Sequence, residues 1–134
     1  MGTILGAYDY FIYNEKNIKN YMVVTFDLNN LKMCNDNYGH SSGDAYIIHS
    51  AHIIETTFDR FGKCYRIGGD EFCCLIPDAA EFQIERFIQK MQQDIAILNN
   101  KNIIPTEVGI ACGYALATPD DADIEKVRER ADEM

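Results

Sequence analysis

Apolar residues recur along this chain in two rhythms, and the change from one to the other outlines its elements. Residues 21–28, YMVVTFDL, form a β-branched and apolar run, the pattern of a buried central strand. Ahead of it, the mixed aromatic segment from Ala7 to Tyr21 reads as one amphipathic helix. Behind it lies a polar stretch with Gly39 and Gly43. A helix then begins near Gly43, with Ile47, Ala51, Ile54, Phe58 and Phe61 spaced along its apolar face. Residues 63–68 and 71–76 read as two short strands joined by Gly69-Asp70 in a tight hairpin. Pro77 stops the second strand. Asp78 and Glu81 have the spacing of a capping box for a helix that turns Ile84, Ile88, Met91, Ile95 and Leu98 inward. Residues 106–116 form the next strand, and 122–134 begin a last helix. Strand, helix, strand, strand, helix, strand is the split βαβ order of ferredoxin-like α+β folds, which sets the first strand and the hairpin side by side at the sheet centre.

Composition narrows the function without naming it. The chain has 134 residues, 47% apolar and 25% charged, and no repeat, low-complexity tract or linker divides it, so a single domain over 1–134 is expected. Twelve basic against 21 acidic residues give a net charge of -9, which argues against nucleic acid as a partner. A polyanionic small ligand stays compatible with that charge if a metal supplies the positive counterpart. Five cysteines, odd in number and without a CxxC pair, make neither a disulfide framework nor a zinc site. They fit small buried apolar positions in a reducing cytoplasm. No apolar run approaches the ~18 residues of a membrane span, so membrane attachment is expected only outside this chain.

Candidate chemistry gathers around two places. Asp27 lies near the end of an otherwise apolar strand, where an ionised carboxylate is costly unless something offsets it. Asp70 and Glu71 sit at the hairpin tip. In the predicted fold these places are neighbours, and three clustered carboxylates repel one another unless a cation binds. Hard oxygen ligands of this kind suit Mg²⁺ or Mn²⁺, which take substrate phosphate oxygens as further ligands. Taken alone, Asp70 is equally a turn residue and Asp27 a strand-end acid. Gly68 and Gly69 supply positive φ to the turn on the plain reading, and two in succession also admit a ligand close to the backbone. Backbone N–H groups at Asn30, Leu31 and Lys32, with the Lys32 ammonium, form a candidate cradle for phosphate. Asn35 and Asp44 are candidates for a guanine edge, since a carboxylate takes the N1–H and N2–H₂ donors while an amide both donates and accepts. The plainer alternatives are a first-turn helix acid for Asp44 and a local turn hydrogen bond for Asn35. His40 reads as structural.

FDLNNLKMCNDNYGHSSGD at 26–44, followed by CYRIGGDEF at 64–72, resembles the GGDEF family of diguanylate cyclases. VGIACGYA at 108–115 and RADEM at 130–134 are similar to its weaker later motifs. The resemblance implies a palm-like antiparallel sheet flanked by helices, related to nucleotidyl cyclase cores. It implies condensation of two GTP into cyclic di-GMP and pyrophosphate, a bacterial second-messenger reaction that needs a homodimer because each domain holds one GTP. By the same resemblance Asp27, the Leu28 carbonyl and Asp70 bind metal, and Glu71 assists metal binding or deprotonation of the 3′-hydroxyl. Asn35 and Asp44 recognise guanine, Lys32 with nearby backbone amides such as that of Leu31 holds the phosphates, and Gly68 and Gly69 are substrate-binding positions. A cytoplasmic location and an N-terminal sensory or regulatory domain in a longer parent protein are also implied.

Three departures from the family pattern matter. Asn29 stands where a second Asp is usual, and Asp59-Arg60-Phe61-Gly62 stands where the product-inhibition motif Arg-x-x-Asp is expected, so no feedback site of that kind is expected. The opening motif is not visible before Gly6 and the lysines and arginines that follow the last helix are missing, so truncation at both ends is expected. A non-catalytic GTP-binding or interaction module therefore stands as the alternative to an active cyclase. Use of ATP is disfavoured by Asp44, whose carboxylate would repel the adenine N1 acceptor.

Overall fold

The computed structural model describes residues 20–121 and 123–134. The elements are β1 (Met22–Leu28), α1 (Leu31–Tyr38), α2 (His40–Phe58), β2 (Lys63–Arg66), β3 (Glu71–Ile76), α3 (Ile84–Asn100), β4 (Ile110–Leu116) and α4 (Ile124–Asp132). The predicted helix over 7–21 lies outside the described residues except for Asn20 and Tyr21, which are not helical and lead straight into β1.

The four strands form one antiparallel sheet in the order β2-β3-β1-β4. This is the predicted split βαβ topology, with β1 and β3 in the centre. Met22, Val24, Phe26 and Leu28 turn one face of β1 toward the large core shared with α1, α2 and α3. Tyr21 and Val23 turn the other face toward α4, where they meet Tyr65, Cys73, Leu75, Ala115, Ile124, Val127 and Ala131. A strand covered on both faces has no polar alternation to show, which is why YMVVTFDL is continuous. Cys34, Cys64, Cys73 and Cys74 are buried free thiols, and Cys112 is half-buried.

Several boundaries differ from expectation, β4 among them, which begins at Ile110 and not at residue 106. The polar stretch after β1 is helical: α1 is anchored by only Leu31 and Cys34, and it meets α2 at Gly39, whose φ of 89° breaks the two apart. Helix α2 therefore starts at His40 and ends at Phe58. Its buried stripe runs Gly43, Tyr46, Ser50, Ile53, Ile54, Thr57 and Phe58; of the predicted face, Ile54 and Phe58 lie in the core while Ile47 and Ala51 are partly buried against it. Phe61 lies in the following turn and packs on Phe82 and Phe87, with ring centroids 4.8 and 4.6 Å away. No capping box forms at 78–81. Asp78 adopts φ 50°, the buried Ala79 donates its N–H to the Asn20 carbonyl, and α3 begins only after Gln83.

The hairpin is also wider than the expected tight turn. Residues 67–70 form its loop, and the Ile67 and Gly68 amides both donate to the Glu71 carbonyl, at 2.8 and 3.3 Å. Neither Gly68 nor Gly69 has the positive φ expected of it, since Gly39 is the one glycine with positive φ among the described residues.

Tyr46 fastens the end of the sheet. Its ring is fully buried, and its hydroxyl donates to the Asn29 carbonyl at 2.6 Å while accepting from the Gly109 N–H at 3.0 Å. The Asn29 N–H reaches the Gly109 carbonyl directly at 2.8 Å. One side of the last β1-β4 pair is thus closed by backbone and the other by a phenol. Tyr46→Phe leaves the Gly109 N–H without a partner in a buried place, which costs about 1–3 kcal/mol. Urea unfolding should show a lower midpoint with an unchanged slope.

Candidate functional site

The end of β1 and the hairpin are held together by the β1-β3 register. Asp27 pairs with Glu71 across the sheet, and the Leu28 N–H donates to the Asp70 carbonyl at 2.8 Å. In a strand the N–H and C=O of one residue point to the same side, so the Leu28 carbonyl also faces the hairpin. Asp27 and Glu71 lie on the α4 face of the sheet, continuing the rows that bury Val23 and Cys73 deeper in.

These carboxyls feel one another. Burial, then the charges of Asp132 and Asp70, push the Asp27 carboxyl above its ordinary range. Glu71 is raised by burial and by Asp132 and Asp27, against the lowering influence of Arg128. The predicted three-carboxylate cluster is nevertheless not drawn into a chelate. Among the described residues no three His, Cys, Asp or Glu side chains are grouped to hold a metal ion. Asp70 sits exposed at the tip, and Glu71 accepts a hydrogen bond from Arg128 at 3.1 Å instead of turning toward Asp27. The acids are near enough to repel and too far apart to close on an ion without further ligands.

Past Leu28 the chain leaves the sheet through Asn30, whose φ of 61° is left-handed, and enters α1 at the buried Leu31. The amides of Leu31, Lys32 and the residue after them are first-turn donors with no carbonyl to meet inside the helix. The Cys34 N–H is the first to find one, on Asn30 at 3.0 Å. Lys32 is exposed beside them. The predicted phosphate cradle is thus a helix N-terminus one residue pair away from the strand-end acid.

Asn35 and Asp44 come from different helices and are brought together by the sharp junction at Gly39. A β-carbon at Gly43 would collide with the Asn35 side-chain oxygen, so the Asn35 amide lies directly against the Gly43 backbone and would have to move if a side chain stood there. Asp44 follows Gly43 directly. Because α2 begins at His40, Asp44 lies beyond the first turn, which removes the helix-end explanation for its charge. Among the described residues the Asn35 and Asp44 side chains make no hydrogen bond within the protein. One turn further along α2, Ile47, Ile48 and Ala51 line an open groove of about 430 Å³ with His52, Glu55, Arg66 and Phe72.

Gly68 and Gly69 have room to spare. A β-carbon at Gly68 would touch only Glu71 Cβ at 3.9 Å, and at Gly69 it would meet nothing. Neither a positive φ nor packing calls for glycine there.

Two residues at the site carry weight that sequence reasoning did not assign. Arg66 donates from Nε to the Gly68 carbonyl at 3.1 Å and from Nη2 to the Gly69 carbonyl at 2.9 Å, clasping the hairpin tip. Arg128 reaches Glu71 from α4. The spacing of Arg128 and Asp132 along one edge of the last helix was the available signal, but nothing in it named Glu71 as the partner.

The comparisons with known proteins bear on the lineage and the fold. Residues 11–134 match the family model described as diguanylate cyclase, GGDEF domain. The chain is 30% identical over 125 residues to an uncharacterized membrane protein of Staphylococcus saprophyticus, covering 90% of this chain and 35% of that protein. It is 35% identical over 71 residues to an uncharacterized 19.3 kDa protein of Streptomyces ambofaciens, covering 53% of this chain and 39% of that one. The chain therefore spans little more than a third of the curated relatives it matches. Among solved structures, the GGDEF domain of DgcB from Caulobacter crescentus in complex with c-di-GMP superposes with a TM-score of 0.83 at 20% identity, covering 99% of this chain and 82% of that one. The active GGEEF domain of a diguanylate cyclase from Vibrio cholerae gives 0.74 at 20% identity, over 93% and 80% of the two chains. At that identity the structural likeness speaks for the fold, and the family model speaks for the lineage. The hairpin at 68–72, set beside the acid that ends the central strand, belongs to a member of the diguanylate cyclase GGDEF domain family.

Proposed function

We propose that this domain condenses two GTP molecules into cyclic di-GMP with release of pyrophosphate, as one half of a homodimer in the bacterial cytoplasm. The observation that carries the reading is the convergence of three kinds of group on one end of the sheet: acids at Asp27 and Asp70, unpaired helix amides at 31–32, and uncommitted polar side chains at Asn35 and Asp44. Each suits a different part of one nucleoside triphosphate.

The donor chemistry fits Mg²⁺ or Mn²⁺. Two carboxylates and the Leu28 carbonyl are hard oxygen ligands, and Mg²⁺ is usually held by one or two carboxylates with substrate phosphates and water completing the shell. That accounts for the lack of a ready-made protein chelate. The Asp27 carboxyl, raised first by burial and then by Asp132 and Asp70, is the electrostatic counterpart, because a divalent cation would favour its ionised form. When bound, the ion would polarise the α-phosphate and lower the pKa of the attacking 3′-hydroxyl. The protein's own part is positioning. The Leu31 and Lys32 amides, with the Lys32 ammonium, hold phosphate oxygens against the α1 dipole. The bare Gly68-Gly69 backbone admits the nucleotide, and Asp44 with Asn35 reads the guanine edge. Glu71 lies beside Asp27 as an aid to metal binding or an acceptor for the hydroxyl proton.

A homodimer follows from the chemistry, since one domain presents one such site and the reaction joins two nucleotides. A sensory or regulatory segment elsewhere in the parent protein is consistent with the limited share of its relatives that the chain spans. No helix among the described residues is long and apolar enough to cross a membrane. A non-catalytic GTP-binding module is the second reading, favoured by Asn29 in place of an acid and by the tie between Glu71 and Arg128.

Incubation of the dimerised protein with GTP and Mg²⁺, followed by chromatography, should yield cyclic di-GMP. GTP binding with no product in the parent protein as well would transfer the assignment to the binding module. Asp70→Ala should lower turnover on the order of 10²-fold or more, since even outer-shell partners of a metal are worth 10–100-fold. Asp44→Asn should erode preference for GTP over ATP by up to roughly a hundredfold, the worth of a charge-assisted hydrogen bond. Unchanged selectivity in a mixed-substrate assay would remove Asp44 from base recognition.

A further inference from the structure

Glu71 is the acid of the hairpin that the fold neutralises from within. Its Oε1 accepts from Arg128 Nη1 at 3.1 Å across 57 residues of sequence, and the two side chains are only 24% and 28% exposed. Arg128 is held in place for that contact. Its Nε and Nη2 both donate to Glu125 Oε2, at 3.2 and 2.8 Å, which fixes the guanidinium plane and leaves Nη1 facing the sheet. Val127 and Ala131, fully buried, dock α4 on either side of it, so the cation arrives on an anchored helix. Asp132, one turn on, lies 3.8 Å from the same Nη1. The other charged groups acting on Glu71, Asp27 and Asp132, are both acidic, so Arg128 is what keeps this corner from being purely repulsive.

We propose that Arg128 is a positioning residue serving as an internal counter-cation for Glu71, holding its carboxylate while the corner is free of metal and yielding it when a divalent ion binds beside Asp27. The proposal rests on the metal reading above. A carboxylate oxygen committed to a guanidinium is not free to ligate an ion, so the Glu71-Arg128 pair must loosen before Glu71 contributes. The pair therefore lowers the affinity for metal alone, and leaves nucleotide phosphates to supply the remaining attraction. It also explains physically why three acids that feel one another do not form a chelate among the described residues.

The test is Mn²⁺ binding to the nucleotide-free protein, followed by the paramagnetic resonance of free Mn²⁺, with circular dichroism confirming that each variant is folded. Arg128→Gln should bind Mn²⁺ roughly fivefold more tightly than wild type, the worth of one partly exposed ion pair. Arg128→Lys, which keeps the charge but loses the planar fork, should fall between them. Lys126→Gln removes the same charge from an exposed place on the same helix, where the ammonium reaches Glu129 at 4.0 Å. It should change binding by less than about twofold. In a Glu71→Gln background Arg128→Gln should have no effect. Equal gains from Lys126→Gln and Arg128→Gln, or a gain that survives Glu71→Gln, would overturn the counter-cation. Wild-type binding that disappears in Asp27→Asn yet ignores Arg128→Gln would overturn it while leaving the metal reading intact. Absence of binding in both wild type and Arg128→Gln would remove the metal reading and the counter-cation together.

Discussion

The geometry of this domain hangs on the Tyr46 hydroxyl. A regular ladder would pair the Asn29 carbonyl with the Gly109 N–H, and here the phenol oxygen stands between them, donating to one and accepting from the other. Tyr46 is delivered from α2, so the helix layer and the sheet are locked at the point where the central strand ends. Beyond that lock the chain has one way out, through the left-handed Asn30 into α1. The first-turn amides of α1 are consequently presented next to Asp27 and the Leu28 carbonyl, and the helix turns back at Gly39 to set Asn35 against Gly43. The proposed phosphate cradle, the Asp27-Glu71 pair and the proposed base-reading pair thus share a single anchor.

Around that anchor the electrostatics are strained by design of the fold. The register sets Asp27 opposite Glu71 in a partly buried corner to which α4 adds Asp132, and burial first, then the neighbouring acids, hold the two carboxyls above their ordinary range. Such a corner lowers folding stability and is tolerated where charge is to be met by a ligand. Arg128 meets part of it from inside the protein, and Arg66 braces the hairpin whose glycines have no structural need of being glycine. Two residues further along α4, Arg130 is tied more conventionally, to both Asp121 oxygens at 2.6 and 3.1 Å and to the Leu116 carbonyl. The last helix is therefore tied to the end of β4 by Arg130 and to the hairpin acid by Arg128.

Much of this was legible in the residues. The unbroken apolar run at 21–28, the paired strands about 68–72, the inward row from Ile84 to Leu98 and the order of the elements specify a split βαβ sheet, because burial on one or both faces dictates periodicity whatever the partner. The acids, the glycines and the Asn35-Asp44 pair stood out for the same reason: each is a residue type that a bare fold does not require at its position. What periodicity could not supply was anything decided by contact at a distance. Helix α1 leaves little periodic signal because two buried residues suffice to anchor it, and the Tyr46 part of the α2 face looks polar until the sheet end is there to receive its hydroxyl. Asp78 carried a capping signal that lost to the docking of Ala79 against Asn20. Above all, whether Glu71 faces a neighbouring acid or a distant arginine depends on how α4 lies across the sheet. Side-chain charge is written locally, but its partner is chosen by packing 57 residues away.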